Sequence, residues 1–353
     1  MDFYGCKTYH EDLMTTLNAS VGIEKLKNST VLITGATGTI GSYIVDTLLK
    51  YNEQGAGIRI IAANYGMKDL ETRFAKVKTD LLEYVDHNIL GNINWDFECD
   101  YIIHTAGFAF PDAFTKNPVG TIWGNISGTY QLLEYGRTHG AKRLLYISSG
   151  EVYGQGDLTI DAFEEDYSGY VDPTSPRSCY PGSKRTTETL CASYYKQYGL
   201  ETVMVRPCHT YGPCITPVDN RAHAQFFRNG LAHENIVMKS AGTQMRSYCY
   251  IGDCASAILT ILAAGQSGEA YNSANPNVRV TIAELAKAIA DAAGCEVVFE
   301  DPSSLDIANQ TPIAKQVLST KKLEALGWKG YFSLKDGVEH TLRILQENEM
   351  RGY

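Results

Sequence analysis

The chain has 353 residues, of which 44% are hydrophobic and 20% charged, and its formal net charge at pH 7 is −9. This composition excludes a disordered or low-complexity protein and allows one large domain or two closely associated ones. The negative charge argues against general nucleic-acid binding, which needs a basic surface. The sequence has no run of 18 apolar residues and no signal-peptide pattern at its N-terminus, so we expect no membrane association and a cytoplasmic location.

Apolar, β-branched runs alternate with helical patterns along most of the chain. The predicted strands are Thr30–Thr34, 58–63, 82–85, Tyr101–His104, 143–148 and 202–206. One predicted helix follows the first strand and ends near residue 51, and the others cover 66–80, 119–138, 180–198, 222–232, 253–264 and 281–293. This alternation predicts an α/β fold, a Rossmann-like doubly wound parallel sheet.

The nine cysteines form no C-x-x-C pair and no Cys/His cluster at zinc spacing. Their odd number also argues against a disulfide framework. We therefore expect free, mostly buried thiols and no metal site.

A three-glycine pattern, GxxGxxG, stands directly after the first strand and at the start of a helix. Glycines in this context permit a tight turn and a close approach of the backbone to a pyrophosphate at the helix N-terminus. The pattern therefore predicts dinucleotide binding. The residues expected to contact the dinucleotide are Gly35, Thr37, Gly38, Thr39, Ile40 and Gly41.

The acidic residue that usually follows this pattern by about 20 residues, and that binds the adenosine ribose, is missing. Asn64 at the end of the second strand offers a neutral hydrogen bond to a ribose hydroxyl instead. No arginine stands beside it to favour a 2′-phosphate, although Lys68 and Arg73 follow. The sequence therefore favours NAD over NADP. Asn88 is a candidate contact to adenine, and a turn-forming role for it is equally consistent.

Tyr180 and Lys184 lie four residues apart at the start of a predicted helix, so they share one face. A lysine ammonium lowers the pKa of a nearby phenol, and the phenolate then accepts the proton of a sugar hydroxyl. With 23 tyrosines in the chain, this pair alone is more simply a surface feature. However, Ser149 and Glu151 follow a buried strand, at the carboxyl edge of the sheet where ligands bind. They are candidates to hydrogen-bond the reacting oxygen and to act as acid or base.

Beyond Pro207 the pattern changes to a turn-rich segment followed by helices, which indicates a smaller C-terminal lobe closing over the sheet. We therefore divide the chain into three parts. They are an N-terminal extension at 1–28, an NAD-binding Rossmann domain at 29–205, and a mainly substrate-binding lobe at 206–353, partly interleaved with the first domain.

Four ordered motifs, GATGTIG at 35–41, SSGEVYG at 148–154, YPGSK at 180–184 and RPCHTYGP at 206–213, carry a resemblance. Together they resemble the extended short-chain dehydrogenase/reductase family, the NAD-dependent nucleotide-sugar epimerases, dehydratases and decarboxylases, over roughly residues 29–330. The resemblance implies an enzyme that binds NAD and a nucleotide-sugar, most often UDP-linked, and acts through a 4-keto intermediate. It also implies a homodimer formed by helices 119–138 and 180–198.

The same resemblance implies the roles of further residues. Cofactor contacts are expected from Ile89, Thr105, Ala106 and Gly107, and substrate contacts from Gly150, Arg177, Arg221 and Arg246. Arg206 and Arg279 are additional candidates to neutralise a diphosphate, because guanidinium groups suit phosphate oxygens. His104 is expected to be structural. Asn125 supports the active site or packs, and Phe108, Phe110 and Phe114 line the sugar pocket or belong to the core.

The triplet Ser149-Gly150-Glu151 bears on the reaction. At the corresponding position the family's dehydratases have Thr-Asp-Glu, whose Asp protonates the leaving hydroxyl. This chain has Gly150 in place of that Asp and so lacks the acid. A glucuronate oxidised at C4 is a β-keto acid that loses carbon dioxide without such an acid. We therefore expect decarboxylation of UDP-glucuronate to UDP-xylose or its 4-keto pentose, although the similar decarboxylases usually have Thr-Ser-Glu.

Other functions stay open. A 4-epimerase needs Tyr180 and Lys184 but no acid at 151, and a 4,6-dehydratase ranks below it. A reductase of a small carbonyl compound is another alternative. From a different class, a non-catalytic nucleotide-binding regulator could use the same fold.

Overall fold

The structure, a computed structural model, describes residues 3–216, 219–302, 313 and 315–349. Its strands, β1 to β13 in chain order, are Thr30–Thr34, Arg59–Asn64, Leu82–Asp86, Tyr101–His104, Arg143–Ile147, Glu201–Pro207, His209–Tyr211, Ile236–Met238, Met245–Tyr250, Ala270–Ser273, Arg279–Thr281, Val297–Phe299 and Lys315–Gln316. The helices, α1 to α12, are Lys7–Ala19, Thr39–Asn52, Met67–Arg73, Pro111–Lys116, Pro118–Trp123, Thr129–Thr138, Cys179–Tyr198, Ala222–Leu231, Ile251–Ala264, Ile282–Ala293, Lys321–Glu324 and Leu334–Glu349.

Seven of these strands form one parallel sheet in the order β10-β6-β5-β4-β1-β2-β3. Strand β1 lies inside the sheet, with β2 and β3 on one side and β4, β5, β6 and β10 on the other, as in a dinucleotide-binding α/β fold. The central strands are almost continuous apolar runs, because both faces of a parallel sheet are covered by helices. The structure thus confirms the predicted α/β fold with a doubly wound parallel sheet.

Alternate residues of the central strands belong to different cores. Val31 and Ile33 of β1 join a large cluster that includes side chains of α1, α2 and α9, whereas Leu32 joins a second cluster with residues of α6 and α7. Helix α1 packs against both α2 and α9. The segment predicted as an N-terminal extension is therefore packed on the helical layer of the sheet.

A smaller lobe follows the sixth strand. Its strands β11, β9 and β13 form a small sheet that β7 extends, and β12 pairs with β8. Helix α10 begins with a capping box between Thr281 and Glu284 and packs against α8 and α12. The division of the chain at 205 stays a prediction, and residues 1–2, 217–218, 303–312, 314 and 350–353 of the predicted parts lie outside the described residues.

Several elements differ from the sequence prediction. The helix predicted over 66–80 ends at Arg73, since the residues after Phe74 offer only Val77 as a large apolar side chain. The helix predicted over 119–138 contains a π-helical turn at Gly124–Gly128 between α5 and α6. Strand β10, which completes the sheet beside β6, was not predicted, nor was the helix Leu334–Glu349.

All nine cysteines have free thiols, and eight of them are buried. Among the described residues, no helix combines the length and the apolar character needed to cross a bilayer. Nor does this part of the chain place three or more His, Cys, Asp or Glu side chains where they could hold a metal ion.

Candidate active site

A cleft of about 1270 Å³ lies at the carboxyl ends of the parallel strands, with the smaller lobe as its far wall. The strand order reverses between β1 and β4, and doubly wound sheets bind ligands at such a point. Apart from Arg206 and Arg279, the residues that the sequence analysis selected as cofactor, substrate or catalytic contacts line this one cleft: Gly35, Thr37, Gly38, Thr39, Ile40, Gly41, Asn64, Asn88, Ile89, Thr105, Ala106, Gly107, Ser149, Gly150, Glu151, Arg177, Tyr180, Lys184, Arg221 and Arg246.

The glycine loop between β1 and α2 closes one end of the cleft. Gly35 has a φ of +69°, a conformation that favours glycine, and the Gly38 N–H donates to its carbonyl oxygen at 3.0 Å. A Cβ on Gly41 would lie 2.2 Å from the Gly35 carbonyl oxygen and 2.9 Å from Thr105 Oγ1. Helix α2 therefore starts in direct contact with the loop. Its first N–H groups have no capping side chain, and they fit a bound pyrophosphate.

The end of β2 carries the candidate ribose contact. Asn64 lines the cleft, and its side-chain amide donates to the carbonyl oxygen of the exposed residue Tyr65. Arg73, which the sequence left near a possible 2′-phosphate, is buried instead. Its guanidinium pairs with the Asp46 carboxylate and lies 4.9 Å from the ring centroid of Phe74. Arg73 is thereby engaged in the core and does not line the cleft.

Lys184 is buried on the first turns of α7, facing the sheet. Its ammonium donates to the carbonyl oxygen of Ile147 at 2.8 Å. It also lies 4.6 Å from the ring centroid of Tyr146 and 5.6 Å from that of Tyr180. Burial lowers the pKa of Lys184 to about 7, because the charged ammonium has lost most of its hydration.

Tyr180 is also buried and stacks on Phe114, with ring centroids 4.4 Å apart. Burial and the Glu151 carboxylate raise its pKa to about 12, against a lowering effect of the Ser149 hydrogen bond. The sequence analysis expected Lys184 to lower this pKa. The direction is the opposite here, because desolvation of the phenolate and the nearby negative charge outweigh the favourable contacts.

Ser149 and Glu151 stand at the start of the short helix Gly150–Tyr153, directly after β5. The Ser149 hydroxyl caps this helix by accepting from the Glu151 N–H at 3.1 Å. Arg177 donates to a Glu151 carboxylate oxygen at 3.0 Å, and its guanidinium lies 4.9 Å from the Phe114 ring centroid. The carboxylate is thus held beside the phenol of Tyr180, with a cationic partner on one oxygen.

Two arginines reach the cleft from the smaller lobe. Arg221 makes a two-bond ion pair with Asp219 at 2.9 and 2.6 Å. Burial alone would raise the pKa of Asp219, but the bonds to Arg221 lower it to about 2. Arg246 is buried on β9 and donates to the carbonyl oxygens of Met245 and Ile313. Burial lowers the pKa of Arg246, and Tyr248 and the Glu151 carboxylate offset part of this lowering.

The two other candidate arginines do not line the cleft. Arg206 pairs with Glu188 of α7 and donates to the Tyr153 hydroxyl at 2.9 Å, so it braces the end of β6. Arg279 lies at the surface and pairs with Asp161. Both were weighed as diphosphate ligands, and their positions argue against that role.

The residues judged structural or ambiguous can also be placed. The buried His104 ring shares a hydrogen bond with the Thr34 hydroxyl at 2.7 Å, and burial lowers its pKa well below the usual value, in line with a structural role. Asn125 donates to the Ser183 hydroxyl at 2.9 Å, and this hydroxyl donates to the carbonyl oxygen of Tyr180 at 3.1 Å. Phe108 and Phe110 line the cleft next to Phe114.

The sequence analysis missed several residues of the far wall. His209 and His223 line the cleft, and each has one buried ring nitrogen without a hydrogen-bond partner in the described structure. Burial, with a further contribution from Arg221, lowers the pKa of His223 to about 3. Gln316 of β13 completes the wall beside Gly150. His209 stood inside a motif already quoted, whereas His223 and Gln316 carried no pattern that would have selected them.

Known proteins are similar in sequence to this chain over most of its length. UDP-glucuronic acid decarboxylase 6 of Arabidopsis thaliana is 33% identical over 319 residues, which are 88% of this chain and 87% of the relative. UDP-glucuronic acid decarboxylase 1 of Xenopus tropicalis is 29% identical over 90% of this chain and 72% of its own length.

Solved structures share the fold. The dTDP-glucose 4,6-dehydratase of Streptomyces venezuelae, with NAD bound, has a TM-score of 0.76 at 24% identity and covers 91% of this chain and 98% of its own. The UDP-glucuronic acid 4-epimerase of Bacillus cereus, in complex with NAD, has a TM-score of 0.75 at 22% identity, covering 90% and 99%.

The sequence profile of the NAD dependent epimerase/dehydratase family matches residues 31–274. This match and the relatives confirm the family resemblance and the enzymatic nature of the chain, and the family match confirms NAD as its cofactor. On this evidence the chain belongs to the NAD dependent epimerase/dehydratase family of nucleotide-sugar enzymes.

Proposed function

We propose that the protein decarboxylates UDP-glucuronate through a 4-keto intermediate. The observation that carries this proposal is the juxtaposition of Tyr180, Lys184, Ser149 and Glu151 in one cleft, with a glycine at position 150 where a dehydratase needs an acid. The UDP-glucuronic acid decarboxylases of Arabidopsis thaliana that match 88% of the chain at up to 33% identity support the same substrate.

The cleft fits NAD at its glycine-loop end. The open N–H groups at the start of α2 would hold the pyrophosphate, and Asn64 would hydrogen-bond the adenosine ribose. Arg73 is committed to Asp46, which supports NAD over a 2′-phosphorylated cofactor. When bound, NAD would accept a hydride from C4 of the sugar and return it, and would bring a positive charge close to the phenol.

Tyr180 would take the proton of the C4 hydroxyl, with Ser149 bonded to the same oxygen. The pKa of Tyr180, about 12, keeps the phenol protonated at neutral pH until positive charge approaches it. Lys184 contributes part of that charge, and its contact with the Ile147 carbonyl oxygen fixes it below the phenol. The phenolate is thus formed only in the loaded site.

The 4-keto glucuronate formed in this way can lose its carboxylate directly. The C5–C6 bond breaks, its electron pair passes to the C4 ketone as an enolate, and carbon dioxide leaves. A proton must then be added at C5 before the ketone is reduced again. Glu151, held by Arg177 next to Tyr180, would take up a proton from solvent and pass it to C5, so that the loss of carbon dioxide consumes one proton.

A 4-epimerase acting on the same sugar is the second candidate. The structural match to a UDP-glucuronic acid 4-epimerase shows the shared fold. Epimerisation would use Tyr180 and Lys184 and would leave the carboxylate in place. The presence of Glu151 in the cleft favours decarboxylation, because epimerisation at C4 has no proton to add at C5.

The test is mass spectrometry of products from purified protein with NAD and UDP-glucuronate. UDP-glucose, UDP-galactose and dTDP-glucose serve as parallel substrates, and the Tyr180→Phe variant as the catalytic control. Loss of one carbon dioxide from the glucuronate, absent in the variant, is the expected result. An unchanged mass with a shifted chromatographic peak would make the protein a 4-epimerase, and loss of water would make it a dehydratase.

We also propose that the protein is a homodimer. The face formed by α5 and α6 exposes Val119, Trp123 and Tyr130, which are 76%, 58% and 49% accessible, and α7 lies beside it. A second copy of the chain would cover this apolar face. Sedimentation velocity should give twice the mass of one chain, and Trp123→Glu should give one chain. Tyr331→Glu, at another exposed aromatic, is the control that should stay dimeric.

A further inference from the structure

We infer that Gln316 selects the substrate by binding the substituent on C5 of the sugar. Its side-chain amide would take the place of the hydroxyl that the similar decarboxylases carry at position 150. This inference rests on the proposed function, because it concerns the sugar end of the same site. The inference adds to that site a specificity-determining residue from the far wall of the cleft, which the smaller lobe forms.

The first support is the direction of the missing side chain at Gly150. A Cβ built there would lie 3.1 Å from the Gln316 side-chain nitrogen, 3.3 Å from the Pro207 carbonyl oxygen and 3.4 Å from the Leu318 Cδ1. A side chain at position 150 would therefore point at the Gln316 amide. Gln316 occupies the space next to that position, and a serine or an aspartate there would require its side chain to shift by a few tenths of an ångström.

The second support is the way in which Gln316 is held. The residue is only 4% accessible and still lines the cleft. It lies on β13 in register with Arg246 on β9, which also lines the cleft. A primary amide that is buried at a ligand site is expected to hydrogen-bond the ligand, since burial without a partner is unfavourable. Gln316 and Arg246 thus present an N–H donor and a positive charge side by side.

The third support is the chemistry of the sugar ring. Ser149 and Tyr180 are assigned to the oxygen on C4, and position 150 follows Ser149 directly in the chain. The C5 substituent is next to C4 on the ring, so the wall next to position 150 is the surface it meets. For a hexuronate this substituent is a carboxylate. Gln316 would donate to it, with Arg246 supplying charge, while Arg177 offsets the negative charge of Glu151.

The main test replaces the amide with an isosteric carboxylate, Gln316→Glu. The NAD-loaded protein, made in the Tyr180→Phe background to prevent turnover, is titrated with UDP-glucuronate and with UDP-glucose by calorimetry. We expect the Kd for UDP-glucuronate to rise about tenfold or more, because two carboxylates would face each other. The Kd for UDP-glucose should change by less than about threefold. Gln54→Glu, the same change outside the cleft, should alter neither.

The ratio of the two Kd values is what decides, because a damaged fold would weaken both ligands alike. An unchanged ratio in Gln316→Glu would overturn the inference. A second comparison uses Gly150→Ser, whose Cβ presses on the Gln316 amide. This variant should lose affinity for UDP-glucuronate, and Gly150→Ser with Gln316→Ala should regain it. Additive losses in the double variant would also overturn the inference.

These outcomes are separate from those of the proposed function. If the wild type releases no carbon dioxide and Gln316→Glu still shifts the ratio, the decarboxylase proposal fails and the role of Gln316 stands. If carbon dioxide is released and the ratio does not change, the reverse holds. If the wild type binds UDP-glucose as tightly as UDP-glucuronate, Gln316 does not select the substituent.

Discussion

The contact between Gly41 and the glycine loop predicts the effect of a single added methyl group. In Gly41→Ala, the new carbon would lie 2.2 Å from the Gly35 carbonyl oxygen. Favourable contacts of a carbon atom are at roughly 3.5 Å, so the start of α2 must move by on the order of 1 Å. Overpacking of this kind destabilises a protein by about 1–3 kcal/mol. The helix preference for alanine over glycine offsets about 1 kcal/mol of that.

The displaced helix start is also the proposed pyrophosphate site, so NAD binding should suffer more than stability. Moving the N–H donors by on the order of 1 Å should weaken NAD binding by about 1–3 kcal/mol, roughly a 5- to 150-fold rise in Kd. The measurements are calorimetric titration with NAD and urea unfolding without it. Gly182→Ala on α7 is the matched control, because a Cβ there meets no atom within 4 Å.

Gly182→Ala should bind NAD normally and gain roughly 0.5–1 kcal/mol of stability, as an open helix glycine allows. If Gly41→Ala binds NAD as tightly as Gly182→Ala does, the close contact is not a requirement of the site. The assignment of the pyrophosphate to this loop would then be wrong.

Three further predictions concern the buried ionisable side chains Tyr180, Lys184 and Arg206. Tyr180→Phe should lower kcat by about 10²–10⁴-fold while the affinity for UDP measured by calorimetry stays the same; equal loss of both would point to a structural role. Because burial lowers the pKa of Lys184 from 10.5 to about 7, the unfolded chain binds more protons between these values, and stability from this group rises with pH over that window. Urea unfolding at pH 7 and 9 should show a steeper rise in the wild type than in Lys184→Met, and parallel slopes would contradict this. Arg206→Met should cost about 3–5 kcal/mol of unfolding free energy by leaving Glu188 buried and unpaired, and Arg206→Met with Glu188→Gln should recover part of it.

The sequence was most informative where one chain segment holds the whole signal. The glycine loop spans seven residues and follows an apolar strand directly. The Tyr180–Lys184 pair spans five residues at the start of a helix. Periodicity and turn residues therefore selected residues that line the cleft, and their contacts with the dinucleotide stay a prediction. The short strand β10 was not predicted because its four residues, Ala270–Ser273, include Asn and Ser, which are buried only through contacts with distant segments.

The far wall of the cleft was harder to predict because it is assembled by long-range pairing. Gln316 reaches the cleft through the register of β13 with β9, about 70 residues earlier in the chain. The sequence suggested the same role, binding of a diphosphate, for Arg206 and Arg221. In the structure Arg206 pairs with Glu188 away from the cleft, whereas Arg221 pairs with Asp219 at the cleft. The direction of the Tyr180 pKa shift likewise depends on burial and on Glu151, which no spacing within the YxxxK motif records.

The late position of β10 has a consequence for the synthesis of the protein. Strand β6 remains an unpaired edge, and α1 and α2 lack their partner α9, until the ribosome has passed residue 273. An unpaired parallel edge attracts other chains. The nascent polypeptide therefore exposes an aggregation-prone edge while residues 208–273 are synthesised, so expression as two separate halves should yield aggregates, whereas a translational pause after β10 would be harmless.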